Sequence, residues 1–255
     1  MIDLPTTPPF KLEKTKALVT GAYGGIGLGC AVALAEAGAH VVVSGTNTEK
    51  LSEVVDAITA KGWSAESMVL DICNIDEASE VISANGPFNV LVNSAGIARH
   101  SKSIQTSESD FDKVMDVNIK GAYFVTQMVA KGLIEAKKPG SLINISSQMG
   151  HVGGVERAVY SASKHAMEGF TKSMAIEWGE HNIRVNTICP TFIVTPLTKS
   201  TFDNPKRRNW IEEKIKLGRL GEVEDIMGAV VFLASEASSM ITGSSLMVDG
   251  GWTAD

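Results

Sequence analysis

The chain has no long hydrophobic run. No stretch of eighteen or more apolar residues occurs, so no membrane-spanning helix and no membrane partner are expected. Cysteine is scarce. Cys30, Cys73 and Cys189 make an odd set without a C-x-x-C pair, which excludes a disulfide framework and a zinc-knuckle spacing. Each lies among apolar neighbours and reads as a buried free thiol in a reducing cytoplasm. No metal-ligating set is expected. Cys189 is a conceivable nucleophile, but no base is implied beside it. Positive charge is in deficit, with 23 Lys and Arg against 29 Asp and Glu, a net charge of -6 and no long basic run. A nucleic-acid partner is therefore not expected. The first ten residues lack the charged-then-apolar order of a signal peptide and carry Pro5, Pro8 and Pro9. Residues 1–13 read as an extended arm. No compositional break or internal repeat divides residues 14–255, which read as one domain.

What is present is a regular alternation. Hydrophobic residues make up 44% of the chain, enough to fill a core. Strand-like runs fall at 17–20, 40–44, 66–70, 89–92, 141–145, 183–188 and 245–248. Helical patterns fall at 26–37, 49–60, 77–83, 108–136, 157–180 and 223–233. Buried Val, Ile and Leu runs separated by amphipathic helices indicate a parallel sheet covered on both faces. The expected fold is α/β, a single-domain doubly wound Rossmann-type sheet with helices on both faces. Residues 191–221 break the pattern with Pro196, Pro205 and the basic cluster Lys206-Arg207-Arg208. An insertion of this length between a strand and a helix reads as a substrate lid.

Two local patterns carry chemistry. Thr20-Gly-Ala-Tyr-Gly-Gly-Ile-Gly27 joins the first strand to the first helix. Its glycines allow a sharp turn and close approach of backbone to a pyrophosphate, which the helix N-terminus attracts. Gly21, Gly25, Ile26 and Gly27 are the expected contacts. Tyr160-Ser-Ala-Ser-Lys164 places a phenol and an amine on one helix face. A free phenol, with a pKa near ~10, is a poor base at neutral pH. A neighbouring ammonium favours the phenolate, and such a pair can exchange a proton with an alcohol or carbonyl.

Three further motifs accompany these: Asn93-Ser-Ala-Gly96, Asn118-Ile-Lys-Gly121, and Ser147 thirteen residues before Tyr160. With these motifs in this order, the chain resembles the short-chain dehydrogenase/reductase family from about residue 14 to the C-terminus. The resemblance implies an NAD(P)-dependent oxidoreductase acting on a CH–OH group. It implies a catalytic set of Asn118, Ser147, Tyr160 and Lys164. Tyr160 would exchange the proton, Lys164 would lower its pKa and hold the nicotinamide ribose, Ser147 would stabilise the substrate oxygen, and Asn118 would position a water. Ser146 competes with Ser147, and the spacing to Tyr160 known from the family favours Ser147.

The resemblance also implies cofactor contacts at Asp71 and Ile72, at Asn93, Ala95 and Gly96, and at Pro190, Ile193 and Thr195. Asp71 reads equally well as a helix N-cap. Cys189-Pro190-Thr191 departs from the family's proline–glycine pair. A homotetramer built through the two long helices and the C-terminal strand is implied as well.

The end of the second strand bears on the cofactor. An NAD site places Asp or Glu there to bind the ribose 2′-hydroxyl, whereas this chain has Gly45 followed by Thr46 and Asn47. Thr46, Asn47 and Lys50 suit a 2′-phosphate, so the balance favours NADP. Ser44 and Asn47 suit a free ribose equally. Substrate-facing candidates are Ser147, Gln148, Met149, His151, Arg157, Tyr160, Thr191 and Phe192, with Arg99 and His100 near the same cleft. Polar and basic groups dominate this set and suit a sugar, sugar acid or polyol. A 3-oxoacyl chain on an acidic carrier protein, docked by residues 206–208, is the rival. A non-catalytic nucleotide sensor on the same fold is a second rival, but it has no need of an activated tyrosine. An epimerase or dehydratase relative would need a larger substrate domain than this length allows.

Overall fold

A computed structural model describes residues 2–196 and 198–254. The strands are β1 (Lys16–Thr20), β2 (His40–Gly45), β3 (Ala65–Val69), β4 (Val90–Asn93), β5 (Gly140–Ile145), β6 (Ile183–Pro190) and β7 (Ser245–Val248). They form one parallel sheet in the order β3-β2-β1-β4-β5-β6-β7. The chain winds outward from β1 to β3, then crosses back to lay β4 on the other side of β1. Strand order therefore reverses between β1 and β4, and the loops leaving their C-terminal ends diverge into a crevice.

Both faces of the sheet are covered because successive side chains on a strand point to opposite sides. Val19, Val43, Val92, Ile143 and Ile188 pack under α1 (Gly25–Glu36) and α9 (Glu224–Ala234). Leu18, Val42, Leu91, Leu142 and Val185 pack on the opposite face. There they meet α3 (Ile75–Asn85), α5 (Ala122–Glu135) and α6 (Ala158–Trp178). Strands β1, β2, β4, β5 and β6 are covered on both faces and read as apolar runs, whereas the edge strand β3 exposes Glu66, Ser67 and Val69. Asn47 caps α2 (Thr48–Thr59) and Asn74 caps α3, each through its side-chain oxygen.

Two expectations change. The helix expected over 108–136 begins as α4 (Glu108–Met115), passes through a π-helical segment (Asp116–Gly121) and resumes as α5. Apolar periodicity does not register the extra residue of a π turn. A side chain at Gly121 would meet Ile72 at 2.9 Å, so only glycine lets the segment lie this close to the loop after β3. Residues 191–221 are not irregular throughout. They contain α7 (Lys199–Phe202) and α8 (Pro205–Lys214), the latter capped by Asn204 with proline in its first turn.

A buried chain of hydrogen bonds ties the helices to the sheet. Thr20 donates to the Asn93 carboxamide oxygen at 3.1 Å, and the Asn93 amide donates to the Ala122 carbonyl at 2.8 Å and to Thr126 at 3.2 Å. Thr126 reaches the Asn144 oxygen at 3.2 Å, and Asn144 donates to Thr171 on α6 at 3.0 Å. Every carboxamide here is fully inside the protein, so each lost partner carries its desolvation cost. Asn93→Ala is expected to destabilise the fold by about 1–3 kcal/mol, read as a lowered denaturant midpoint with an unchanged slope.

Candidate active site

The crevice at the C-terminal ends of β1, β4 and β5 is a cleft of about 560 Å³. Its first wall is the glycine turn. Gly21 and Gly25 hold left-handed backbone with φ of 65° and 53°. A side chain on Gly21 would come within 2.9 Å of the Ala95 backbone. No side chain caps the start of α1 and no acidic residue lies in its first turn, so its leading N–H groups face the cleft. That is the donor set and field a pyrophosphate requires. Thr46, Asp71, Ile72, Ala95, Gly96, Pro190, Ile193 and Thr195 also line the cleft, together with Gly21, Gly25, Ile26 and Gly27. A dinucleotide fits this lining.

Two expected cofactor contacts lie elsewhere. Asn93 is directed into the polar chain behind the cleft and holds Thr20, whose hydroxyl in turn accepts from the Ser94 and Ala95 amides at 3.1 Å each. Asn47 spends its side-chain oxygen on the Lys50 amide at 2.9 Å, as the α2 cap. Asp71 is not a helix cap: it accepts from the Cys73 amide at 2.9 Å, and Asn74 takes the cap.

The catalytic candidates gather at the inner end. Ser147, Tyr160 and Lys164 all line the cleft. The Ser147 hydroxyl hydrogen-bonds to Tyr160 and accepts from the Met149 amide at 3.1 Å. Ser146 turns instead toward Cys189. Lys164 donates to the Ile145 carbonyl at 2.8 Å, and its ammonium lies over the Tyr160 ring, 5.7 Å from the centroid. Burial draws its pKa down to about 8.

The electrostatics of Tyr160 differ from expectation. Burial raises its pKa, and the forces that pull it back are the Ser147 hydrogen bond and the Arg157 guanidinium. Lys164 is not among them. Desolvation disfavours the phenolate before any neighbour acts, and the ammonium faces the ring, with its hydrogen bond given to a carbonyl. At neutral pH the phenol holds its proton.

Asn118, in the π segment, does not line the cleft. Its oxygen accepts from the Ile97 amide at 2.9 Å, and its amide donates to the Ile97 carbonyl at 2.9 Å and to Ser163 at 3.1 Å. Its side chain therefore latches the loop after β4, and both amide hydrogens are engaged. The side-chain amide is thus committed to the loop.

A smaller cavity of about 90 Å³ adjoins Ser147 and Tyr160. Gln148, Met149, Arg157, Thr191 and Phe192 line it, as does His100. His151 does not; it turns to the back of the site, 3.4 Å from Cys189. Arg99 pairs weakly with Asp110 at the surface, at 3.8 Å. The His100 ring meets Tyr160 edge-on at 6.5 Å. Burial, with Arg157 and Arg207 adding, lowers the His100 pKa to about 4, so the ring is neutral. Ala98, Thr198 and Thr201 complete the lining. No spacing rule pointed to them, because the lid carries the two threonines back over the sheet.

A family model described as enoyl-(acyl carrier protein) reductase matches residues 21–253. The 2-dehydro-3-deoxy-D-gluconate 5-dehydrogenase of Escherichia coli is 39% identical over 96% of this chain and 98% of its own length. The chain belongs to the short-chain dehydrogenase/reductase family. The L-xylulose reductase of Mesocricetus auratus, a second relative, is 36% identical over 94% of this chain and 97% of its own length. The solved gluconate 5-dehydrogenase of Burkholderia cenocepacia J2315, in complex with NADP and tartrate, superposes with a TM-score of 0.92 at 34% identity. That match covers 96% of this chain and 98% of the other.

This short-chain dehydrogenase/reductase therefore has a half-buried phenol, a serine hydroxyl bonded to it and a cleft that suits a dinucleotide. Tyr160→Phe removes the exchangeable proton and leaves the cleft intact. Turnover is expected to fall by about 10²-fold or more, with NADPH affinity unchanged by fluorescence titration.

Proposed function

We propose that this short-chain dehydrogenase/reductase interconverts a secondary hydroxyl and a ketone on a sugar acid or related polyol, with NADP(H) as its cofactor. Arg157 carries the reading. It is 6% exposed, yet its Nη1 has no partner within the protein. Both polar atoms of the Gln148 amide and the Thr191 hydroxyl are equally unpaired, and all three residues face the small cavity beside Tyr160. Each buried unpaired group costs about 1–3 kcal/mol. A hydroxylated anion satisfies them together: a carboxylate for the guanidinium, hydroxyls for the amide and the threonine. A long acyl chain would leave them unsatisfied. Two of the three cations of the carrier-docking alternative are also engaged, Arg207 with Glu156 at 2.5 Å and Arg208 with Glu212 at 2.9 Å, which leaves Lys206. The relatives named for gluconate derivatives, and the tartrate held by the Burkholderia cenocepacia enzyme, support the same class.

When bound, the nicotinamide accepts or supplies the hydride. Lys164, Ile193 and Thr195, which line the cleft, would hold that end, and Gly21, Gly25, Ile26 and Gly27 the pyrophosphate. In reduction the Tyr160 hydroxyl gives its proton to the carbonyl oxygen and is left as phenolate; in oxidation that phenolate, its own proton first passed to solvent, takes the alcohol proton. Ser147 donates to the same oxygen and stabilises charge developing there. Asn118 acts indirectly, by fixing the loop that carries Gly96 and Ile97.

The NADP preference rests on the end of β2. Gly45 brings no carboxylate, the Tyr23 ring lies against it, and Lys50 sits 5.7 Å from that ring's centroid. Tyr23, Thr46 and Lys50 all line the cleft there. They offer a 2′-phosphate a hydroxyl and a cation, with no opposing charge.

Residues 1–13 form the arm of a single catalytic domain over 14–255, and residues 191–221 are its lid, closing the small cavity with Phe192, Thr198 and Thr201. Exposed Phe111, Tyr123 and Ile176 on α4, α5 and α6 suit a homotetramer that packs these helices between subunits. The three free thiols suit a reducing cytoplasm.

Two outcomes test the reading. Arg157→Ala is expected to raise KM for an aldonate or its keto form by roughly 10- to 100-fold, the loss of about 1.5–3 kcal/mol. KM for a neutral polyol should change little in the same steady-state series. Equal losses on both substrates would remove the acid from the proposal. Lys50→Ala is expected to weaken NADPH binding roughly tenfold, about 1.4 kcal/mol, and to spare NADH, in paired fluorescence titrations.

A further inference from the structure

Behind the catalytic groups lies a second cluster that the proton transfer does not use. Glu168 sits one helical turn beyond Lys164 on the same face of α6 and is 5% exposed. Its Oε2 accepts from Thr187 at 3.0 Å and from Ser245 at 2.5 Å, and its Oε1 accepts from the Cys189 thiol at 3.4 Å. His151 closes the cluster, with Nε2 3.4 Å from Cys189 Sγ and 3.7 Å from Glu168 Oε2. The His, Glu and Cys donor atoms lie within 4.8 Å of one another, a spacing that also suits a divalent metal. The hydrogen bonds from Thr187, Ser245 and Cys189 account for the arrangement without one.

A carboxylate this deep needs a reason. Three side-chain donors converge on it and satisfy its oxygens. The nearest buried cation is Lys164, whose own hydrogen bond goes to the neutral carbonyl of Ile145. The surroundings of that ammonium can be named. Tyr160 and Glu168 share its helix, and Cys189 faces it from β6. His151 stands beyond Glu168, and the π segment and the loop after β4 present neutral Asn118 and Gly96. Burial lowers the Lys164 pKa, and Cys189 and Glu168 oppose that. The Cys189 thiol, pushed up to about 12 by burial and by Glu168, is uncharged at neutral pH. Glu168, one turn along the same helix, is then the acidic neighbour that remains.

We propose that Glu168 is a positioning residue: its buried carboxylate, clamped by Thr187, Ser245 and Cys189, is the counter-charge that keeps the Lys164 ammonium protonated at the cleft. Its action is through Lys164, since Glu168 does not line the cleft. His151 is the solvent-facing edge of the cluster. The proposal concerns the charge of Lys164 and holds whichever substrate the enzyme takes.

The test is the titration of Lys164 itself in the cofactor-free protein, by NMR of ¹³Cε-labelled lysine assigned with Lys164→Arg. In Glu168→Gln the Lys164 resonance is expected to titrate at least one pH unit lower than in the wild type. Glu168→Asp should recover part of the difference. A charged lysine supports activity below its pKa, so the alkaline fall of kcat/KM should move to lower pH by the same amount. A folded Glu168→Gln protein in which Lys164 titrates as in the wild type overturns the proposal. Should that variant fail to fold, Ser245→Ala reads the same quantity. Removing one clamp should lower the Lys164 titration by a smaller amount, and an unmoved titration there overturns the proposal equally.

Discussion

The hydrogen bond from the Lys164 ammonium to the Ile145 carbonyl fixes where α6 meets the end of β5. A cation cannot be buried against apolar strands without an acceptor, and the last carbonyl of β5 supplies one. Once Lys164 is anchored there, Tyr160, one turn earlier, is held over the mouth of the cleft. Ser147, two residues past that carbonyl, is brought to the phenol. The phenol and the serine hydroxyl are thus placed by one strand end and one helix turn. A loop would position them less rigidly.

Burial governs the chemistry of the groups so placed. It raises the Tyr160 phenol, lowers the Lys164 amine and keeps the His100 ring neutral. The site is therefore closer to neutral than its residue list implies. The Lys164 ammonium, below its pKa of about 8 at neutral pH, and Arg157, buried beside the phenol with its Nη1 unpaired, keep their charge. A guanidinium does not lose its proton at working pH, so the Arg157 charge persists at the small cavity beside Tyr160.

The supporting shell is polar where a sheet interior is usually apolar. The hydrogen-bonded chain from Thr20 through Asn93, Thr126 and Asn144 to Thr171 crosses the sheet directly behind the glycine turn. Hydrogen bonds have direction and apolar contacts do not. The chain therefore fixes the register of α5 and α6 against β4 and β5, while the two apolar layers supply most of the burial. Asn118 extends the same logic to the loop after β4 by pairing both edges of the Ile97 backbone.

The sequence by itself determined the alternation of strands and helices, the parallel sheet, the glycine turn and the Tyr160–Lys164 face. All of these follow from local periodicity or from spacing within a single element. Only the tertiary structure decided what depends on several elements meeting. Asn93 and Asn47 have residue types suited to a cofactor, yet their hydrogen bonds go to a polar chain and a helix cap. His151 lies three residues after Gln148, yet it turns to Glu168 and Cys189 behind the site. The π segment that holds Asn118 packs its Gly121 against Ile72, a contact between segments far apart in sequence. Desolvation is likewise a property of the assembled fold: spacing could bring an amine to a phenol, but the surrounding protein decided that the phenol would keep its proton.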